Sequence, residues 1–395
     1  MLKYFIILHF YMVQSKSFVS ELIKLKPLLD EAVRQYLICD SCRLCNADLC
    51  PVFGTIEAGP RAEPPLISTK DVIFYANVCY DHRDCYYACP YVPPHEFNVD
   101  IPKLNREIRL NIYSELTFNL LKSIWGRIVL VLLFIPVIVM WVLEAPHVFI
   151  TYPISFYNVM PKIDIVISGL VVLVYLIVLA IYMILRYNSM IGPVYRPKLS
   201  TLFGTIKDIL VHNWFPDMHY PSWYWSDTRF IYHILIFYGF TLDLIATIIG
   251  AIYEDVLHIP SPFPITNPAV ITGAIGGVMI IIGAIIALYA RYVSIKEQKF
   301  VQVGTIDMIF VITLLLTALT GLLVLSFRLI NMIMAMNIML LVHLTFIYAL
   351  FVIMPLTSTM PHIVLRAYSL WIYNSIVNPK RIGKPLKIPP LIMKQ

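Results

Sequence analysis

Six long apolar stretches constrain the fold more than any other feature of this sequence. They lie at 127–149, 163–185, 229–252, 268–290, 305–327 and 336–359. Each is close to the roughly 20 apolar residues that an α-helix needs to cross the hydrocarbon layer of a bilayer. The chain is 59% hydrophobic and 14% charged, a balance typical of membrane proteins. We therefore expect a mainly α-helical protein with a bundle of six transmembrane helices in a lipid bilayer.

The distribution of Lys and Arg predicts how this bundle is oriented. These residues are concentrated in 186–229, 291–304 and 360–395, whereas the alternate connections carry few of them. The positive-inside rule places the basic segments, and with them both termini, in the cytoplasm. The same distribution explains the formal net charge of +6 without a nucleic acid partner. We expect a multi-pass protein of the cell's inner, cytoplasmic membrane.

All seven cysteines lie in two short runs near the N-terminus. The runs are Cys39-x2-Cys42-x2-Cys45-x4-Cys50-Pro51 and Cys79-x2-His82-x2-Cys85-x3-Cys89-Pro90. Cysteine triples at this spacing hold iron–sulfur clusters, and the cysteine before the proline ligates the other cluster of a pair. A zinc site would instead favour two separated pairs of ligands around one ion. The pattern predicts an N-terminal, α-helical, ferredoxin-like domain with two clusters in the reducing cytoplasm.

In this pattern the last cysteine of each run ligates the cluster that the other run holds, and this rule assigns each side chain to a cluster. The first cluster, a [4Fe–4S], takes Cys39, Cys42, Cys45 and Cys89, and the second takes Cys50, Cys79 and Cys85. His82 stands where a fourth thiolate is expected. Either its imidazole ligates a [4Fe–4S] cluster, or it does not ligate iron and the three cysteines hold a [3Fe–4S] cluster. Both arrangements raise the reduction potential and favour electron flow toward a quinone.

Histidines in or next to the apolar stretches are candidate haem ligands, because ionisable residues are costly in lipid. His233 lies near the cytoplasmic end of the third stretch, and His362 follows the sixth at the same face. Their matching depth predicts two axial ligands of one haem b. His343 lies about 10 Å from the outer face, given 1.5 Å of rise per residue. It either ligates a second haem, with His258 as the available partner, or forms hydrogen bonds between helices.

Two further features concern the membrane helices. Asp243 lies near the middle of the third stretch, where it either relays protons to or from quinone or is protonated or bonded to a polar neighbour. The expected neighbours are Thr241, Thr247 or a polar group on another helix. Small residues in the fourth stretch predict close helix packing, and they are Gly273, Gly276, Gly277 and Gly283.

These observations divide the chain into four parts. Residues 1–18 are an apolar segment, interpreted as a docking helix or an over-called start. Residues 19–122 are the cytoplasmic iron–sulfur domain, which ends in a helix over 101–122. Residues 123–365 are a membrane domain of cytochrome b type with an amphipathic interfacial helix over 199–215, and 366–395 are a basic cytoplasmic tail.

The motifs together resemble the TcuB/CitB family, the membrane iron–sulfur cytochrome b proteins of tricarballylate utilisation. CDSCRLCNADLCPVF resembles its first cluster run, and CYDHRDCYYACPYVPPHEFNVDIPKLNREIR resembles its second. FIYHILIFYGF, DMIFVITLLLTALTGLLVLSFR and LLVHLTFIYALFVIMP resemble its membrane helices in order. The family differs at His82, where it has cysteine, and near Glu254, where it has a histidine.

The resemblance implies an electron-transfer role within a larger redox complex. The partner would be a separate FAD-containing dehydrogenase that oxidises tricarballylate or a related carboxylic acid. Electrons would pass through two iron–sulfur centres and haem b to membrane quinone, with His233, His343 and His362 as haem ligands. Substrate oxidation would belong to the partner, because this sequence has no Gly-rich dinucleotide-binding turn.

Two other functions fit the same sequence. One is a membrane component of a heterodisulfide-type or sulfur-type reductase, which would use the same cofactors. The other is a transporter with a redox-sensing iron–sulfur domain, although no pair of interrupted helices marks a transport site.

We expect anaerobically purified protein to contain iron and acid-labile sulfide, because the cysteine spacing selects iron–sulfur clusters over zinc. Elemental analysis measures both, and EPR separates a [3Fe–4S] from a [4Fe–4S] second cluster. Zinc without iron or sulfide would contradict both cluster assignments.

Overall fold

A computed structural model describes residues 25–44, 50–60, 67–81, 83–122, 124–152, 154–213, 226–296, 305–377 and 380. These ranges contain helices and turns and no strand. The predicted segment 1–18, Cys45, His82 and the end of the predicted tail lie outside the described residues. The prediction of a mainly α-helical chain is confirmed.

Thirteen helices are labelled here in chain order within the described ranges. The first covers 25–42 (α1). The others are Pro51–Ala58 (α2), Thr69–Val78 (α3), Asp84–Tyr87 (α4), Ile101–Lys122 (α5), Ile124–Glu144 (α6), Lys162–Ile191 (α7), Leu202–Leu210 (α8), Ser226–Ala251 (α9), Pro268–Lys296 (α10), Thr305–Leu329 (α11), Ile333–Ile353 (α12) and Thr359–Ile376 (α13).

The chain forms two compact units. The first contains 1–115, 183–221 and 362–395, and the second contains 116–182 and 222–361. The first unit therefore includes all of the cysteines, and the second includes most of the apolar helices.

Buried aromatic and amide side chains join three helices of the first unit. The ring of Tyr36 on α1 meets that of Tyr75 on α3 edge-on, with 5.1 Å between centroids. Its hydroxyl donates a hydrogen bond of 2.9 Å to Asn105 Oδ1 on α5. Tyr113 of α5 donates to Asn77 Oδ1 of α3 at 3.2 Å. Because these polar groups bond to one another, α1, α3 and α5 form a core that tolerates their burial.

Segments from distant parts of the sequence complete this unit. Tyr195, which follows α7, stacks on Phe74 with 4.3 Å between ring centroids. Its hydroxyl donates at 2.5 Å to Asp71, whose carboxylate also accepts from the backbone N–H of Ser68 at the start of α3. Helix α13 packs on α2, since a Cβ on Gly54 would lie 2.8 Å from the hydroxyl of Tyr373. Helix α13 is not predicted by the sequence pattern, and more than half of it falls in the segment expected to be a tail.

Six helices of the described structure are long and apolar enough to cross a membrane, as predicted. They are Gly126–Phe149, Lys162–Ile191, Arg229–Val256, Pro268–Val293, Asp307–Leu329 and Ile333–Leu356. The sixth was predicted to reach residue 359, but α12 ends at Ile353 and a 3-10 turn follows over Met354–Leu356. Pro355 explains this early end, because proline has no backbone N–H to continue the helix. Orientation in the membrane stays a prediction.

Glycines let α9 and α10 approach backbone to backbone. A Cβ on Gly276 would lie 2.7 Å from the carbonyl oxygen of Gly239 and would overlap the Asp243 carboxylate. A Cβ on Gly283 would lie 3.1 Å from the carbonyl oxygen of Tyr232. This confirms the predicted close packing of the fourth membrane helix.

Helix α8 presents an apolar face that the described part of the chain leaves uncovered. Leu199, Phe203, Ile206 and Leu210 are exposed at helical spacing, and Phe203 is 82% exposed. Thr205, on the opposite side, is buried. This pattern is typical of a helix that lies in the membrane interface, which remains a prediction for 199–215.

We expect Gly276→Ala to destabilise the protein by about 1–3 kcal/mol, because the added methyl group would overpack the seam between α9 and α10. Gly169→Ala on α7 is the matched control, since no atom lies within 4 Å of its added Cβ. Thermal unfolding in detergent measures both variants. Equal melting temperatures for the two would contradict the close approach of these helices.

Candidate metal centres

The first cysteine run is placed by the ends of two helices. Cys39 and Cys42 lie in the last turns of α1, and Cys50 directly precedes α2. Pro51 is the first residue of α2, a position where its missing N–H costs no helical hydrogen bond. The Cys-Pro pair thus places Cys50 at a helix N-terminus, where backbone amides favour a thiolate.

The second run surrounds the short helix α4. Cys79 ends α3 and is 7% exposed, and its Sγ accepts a hydrogen bond of 3.4 Å from the N–H of Asp81. Cys85 lies in α4 and Cys89 follows it. The Sγ of Cys89 accepts from the N–H of Tyr91, also at 3.4 Å. Hydrogen bonds of this kind to ligating sulfurs are among the groups that set cluster potentials.

Both runs contain left-handed backbone at residues other than glycine. Arg43 has φ 50° next to Cys42, and Asp81 and Arg83 have φ 59° and 70° in the second run. Such conformations cost energy and persist where the surroundings hold them. They turn the chain sharply between successive cysteines, as wrapping around a compact cluster requires.

Tyr36 marks where the two runs meet. Burial raises the pKa of its phenol, and the electrostatic influence of Cys79, Cys39 and Cys50 raises it further. Sulfurs from both runs therefore lie near one buried ring of α1. The sharing of ligands between the two runs stays a prediction from their spacing.

The donor set fits iron–sulfur clusters in its chemistry. Six of the seven cysteines are described, Cys39, Cys42, Cys50, Cys79, Cys85 and Cys89, all in the first unit. Among the described residues, no three His, Cys, Asp or Glu side chains converge closely enough to hold one metal ion. A cluster distributes its thiolates over several iron atoms, so its ligands need not converge in that way.

Guanidinium groups gather at the end of α3. Arg109 of α5 donates to the carbonyl oxygens of Ala76 at 2.8 Å and Cys79 at 2.6 Å. Arg366 of α13 donates to the same Cys79 carbonyl at 2.9 Å, and its guanidinium lies 4.2 Å from the centroid of the Tyr80 ring. Burial would lower the pKa of Arg109, but the nearby Cys79 and Asp81 raise it.

The predicted inner haem ligands lie on α9 and α13. His233 stacks on Phe237 with 6.2 Å between ring centroids and 9° between their planes. His362 is exposed in the first turn of α13. It lies four residues before Arg366, and residues at this spacing share one face of a helix. The two histidines belong to different compact units, and their pairing stays a prediction.

His343 is held against α11. Its Nδ1 lies 3.0 Å from the carbonyl oxygen of Thr317 and 3.1 Å from Thr320 Oγ1. A carbonyl oxygen only accepts, so Nδ1 carries the proton and Nε2 keeps its lone pair. The ring lies beside Gly321, where a Cβ would be 2.9 Å from its Cε1. The hydrogen bond between helices is thus present, and the same anchoring is found in metal-ligating histidines. His258 lies in an exposed loop after α9.

The expected bonds from Asp243 to its threonine neighbours are not formed. Thr241 donates to the carbonyl oxygen of Phe237 at 2.8 Å. Thr247 donates to the backbone carbonyl of Asp243 at 2.9 Å and not to its carboxyl group. Both hydroxyl groups follow the common habit of bonding to their own helix. The Asp243 carboxyl group instead lies over Gly276 of α10.

Sequence reasoning missed a polar cluster at the end of α9. A π-helical turn over Ile252–Val256 carries Glu254, which accepts a short hydrogen bond from the hydroxyl of Tyr157. The Nζ of Lys162 lies 3.3 Å from Glu254 Oε2. Burial and the bond to Glu254 raise the pKa of Tyr157 to about 12. Two adjacent acidic residues at the end of an apolar stretch, Glu254 and Asp255, were the signal in the sequence that could have indicated this cluster. The π-helical turn that carries them is of a kind frequent at functional sites.

Comparison with known families identifies the chain. The family described as "Citrate utilization protein B" matches residues 120–372, and the "Citrate utilization protein B Fer4-like domain" matches residues 32–115. The chain belongs to the citrate utilization protein B family. "Citrate utilization protein B" of Escherichia coli is 26% identical over 340 residues, which cover 82% of this chain and 86% of that protein. No solved structure matches.

The family accounts for the main features of the molecule. The Fer4-like match contains both cysteine runs, and it indicates iron–sulfur clusters. The second match contains His233, Asp243, His343 and His362. A citrate utilization protein B chain with these parts is a redox-related, multi-pass membrane protein.

Alanine substitutions test the crossing of ligands. We expect Cys50→Ala to alter the same EPR signal as Cys79→Ala, although Cys50 belongs to the first run. We expect Cys89→Ala to alter the same signal as Cys39→Ala. Iron content, measured alongside, gives the number of clusters lost. If Cys50→Ala instead altered the same EPR signal as Cys39→Ala, each run would hold its own cluster.

Proposed function

We propose that this chain carries electrons from a separate FAD-containing dehydrogenase, through two iron–sulfur clusters and haem b, to membrane quinone. The dehydrogenase would oxidise tricarballylate or a related carboxylic acid. Membership of the family and its Fer4-like domain support the redox role. When bound, the clusters and the haem supply one-electron chemistry that amino acids lack. The chain's own residues hold these groups, position them and handle protons.

One contact carries the proposal. Arg366 donates to the carbonyl oxygen of Cys79, a predicted ligand of the second cluster. His362 lies one helical turn earlier on α13. At 1.5 Å per residue, four residues correspond to about 6 Å along the helix. A single helix thus links the second cluster's binding segment to a proposed haem ligand, which gives electrons a short route between the two.

The surroundings of His343 support a second haem. Nδ1 is held by the Thr317 carbonyl, so the imidazole has a fixed tautomer and a fixed ring orientation. Gly321 leaves space beside the ring that any side chain would fill. His258 remains the proposed partner on the outer side.

Asp243 is proposed to handle protons. Reduction of a quinone to a quinol consumes two electrons and two protons, so a site within the bilayer needs a proton donor. Its carboxyl group lies over Gly276 and, in the described part of the chain, receives no hydrogen bond from another side chain. A carboxyl group held between helices at this depth is a side chain that can accept or release a proton there.

Histidine substitutions test the haem assignment. We expect His233→Ala and His362→Ala each to remove the same haem, because one haem b needs both axial ligands. The measurements are pyridine haemochrome content and the α band after dithionite reduction. His147→Ala is the control, since this histidine bonds to Glu144 at the end of α6 and is no predicted ligand.

The same preparation tests the whole route. Protein reduced under anaerobic conditions should lose its haem α band when a short-chain quinone is added. A wild-type protein without haem would rule out the route to quinone through haem. A protein without haem, iron or sulfide would favour the transporter alternative.

A further inference from the structure

We infer that Arg109 and Arg366 act as a cationic clamp that raises the reduction potential of the second iron–sulfur cluster and so directs electrons from the first cluster to the second. The inference rests on the proposed function. It concerns two positioning residues that touch the ligand segment and do not touch a substrate.

Both arginines of the clamp donate hydrogen bonds to the same atom. The guanidinium groups of Arg109 and Arg366 come from helices far apart in the sequence, and both donate to the carbonyl oxygen of Cys79. Arg109 also bonds to Ala76, and Arg366 also lies over the ring of Tyr80. Two charged donors on one carbonyl exceed what is needed to satisfy it, since a buried carbonyl is satisfied by one partner.

No carboxylate in the described part of the chain bonds directly to either clamp residue, although the charge of Asp81 acts on Arg109 from nearby. Arg109 is only 9% exposed. In the described part of the chain, neither Arg109 nor Arg366 forms an ion pair, whereas the neighbouring Arg106 bonds to Asp81 at 2.8 Å. A buried cation without a directly bonded counter-charge is costly. A cluster ligated by thiolates carries negative charge, and it would supply the counter-charge at this position.

The sign of the effect follows from Coulomb's law. Reduction adds one negative charge to a cluster, and a nearby cation stabilises that charge more strongly in a buried site than in water. The clamp therefore favours the reduced state of the second cluster.

The described arginines next to the first run are paired differently. Arg43, between Cys42 and Cys45, pairs with Asp40 at 2.5 Å. Arg34, more than one helical turn before Cys39, pairs with Glu31 at 2.6 Å. Arg43 and Arg34 are thus each paired with a carboxylate, whereas Arg109 and Arg366 bond to backbone carbonyl oxygens beside Cys79. This asymmetry makes the second cluster the better electron acceptor of the two.

The test is a redox titration of both clusters, followed by EPR, in the full-length protein. We expect R366Q to lower the midpoint potential of the second cluster. A tenfold fall in the equilibrium constant for reduction corresponds to about 59 mV for a one-electron couple. R366K keeps the charge, and we expect it to retain most of the wild-type potential. The first cluster should not shift in either variant.

Two further variants complete the design. R109K tests the second member of the clamp without removing a buried charge. Lys103→Gln removes a cation from the exposed face of α5, and we expect no shift because solvent screens that charge.

The outcomes separate the clamp from the proposed function. Equal potentials for wild type and R366Q, with full iron content, would overturn the clamp and leave the electron-transfer role intact. Loss of iron in R366Q but not in R366K would support a role for the positive charge of residue 366 at the second cluster. Equal loss of iron in both variants would show that the contact is purely structural. Wild-type protein without iron or sulfide would overturn the proposed function itself.

Discussion

The hydrocarbon layer offers backbone amides no partner, and this constraint determines most of the architecture. Only structures that satisfy their own hydrogen bonds can cross it, so the apolar stretches must be helices. Helices in lipid also gain little from burying apolar surface, and they associate through close contact instead. The glycines at 239, 276 and 283 supply that contact between α9 and α10. The membrane half of the chain therefore depends on small residues as much as on large apolar ones.

The iron–sulfur half follows a different rule, because thiolates have to be placed at the ends of helices where the chain can turn. Cys50 precedes α2, and Cys79 ends α3. The helices behind them are fixed by buried hydrogen bonds such as that from Tyr36 to Asn105. Helix α13 joins the same unit, although it follows the last apolar helix. The chain thus returns to its cysteines after it has completed the membrane helices.

The apolar helices and the cysteine spacing could be predicted because each signal is local. Twenty apolar residues or a C-x2-C-x2-C run can be recognised without knowing what packs against it. Helix α13 was missed because its apolar residues cover a unit built from the other end of the chain. The bond from Arg366 to Cys79 joins residues 287 apart, and no local pattern predicts it. For Asp243 the two threonines named from the sequence do not bond to its carboxyl group, since both hydroxyl groups bond to their own helix.

One arrangement recurs where the bundle holds a polar side chain. The carboxyl group of Asp243 lies over Gly276, and the imidazole of His343 lies beside Gly321. In each case the polar group occupies the volume that a neighbouring side chain would need. Glycine therefore lets the bundle keep an ionisable group between its helices and away from the lipid, where it would be costly. Close packing and polar chemistry are then two uses of the same glycines, and a larger residue at either position would displace the polar group as well as the helix.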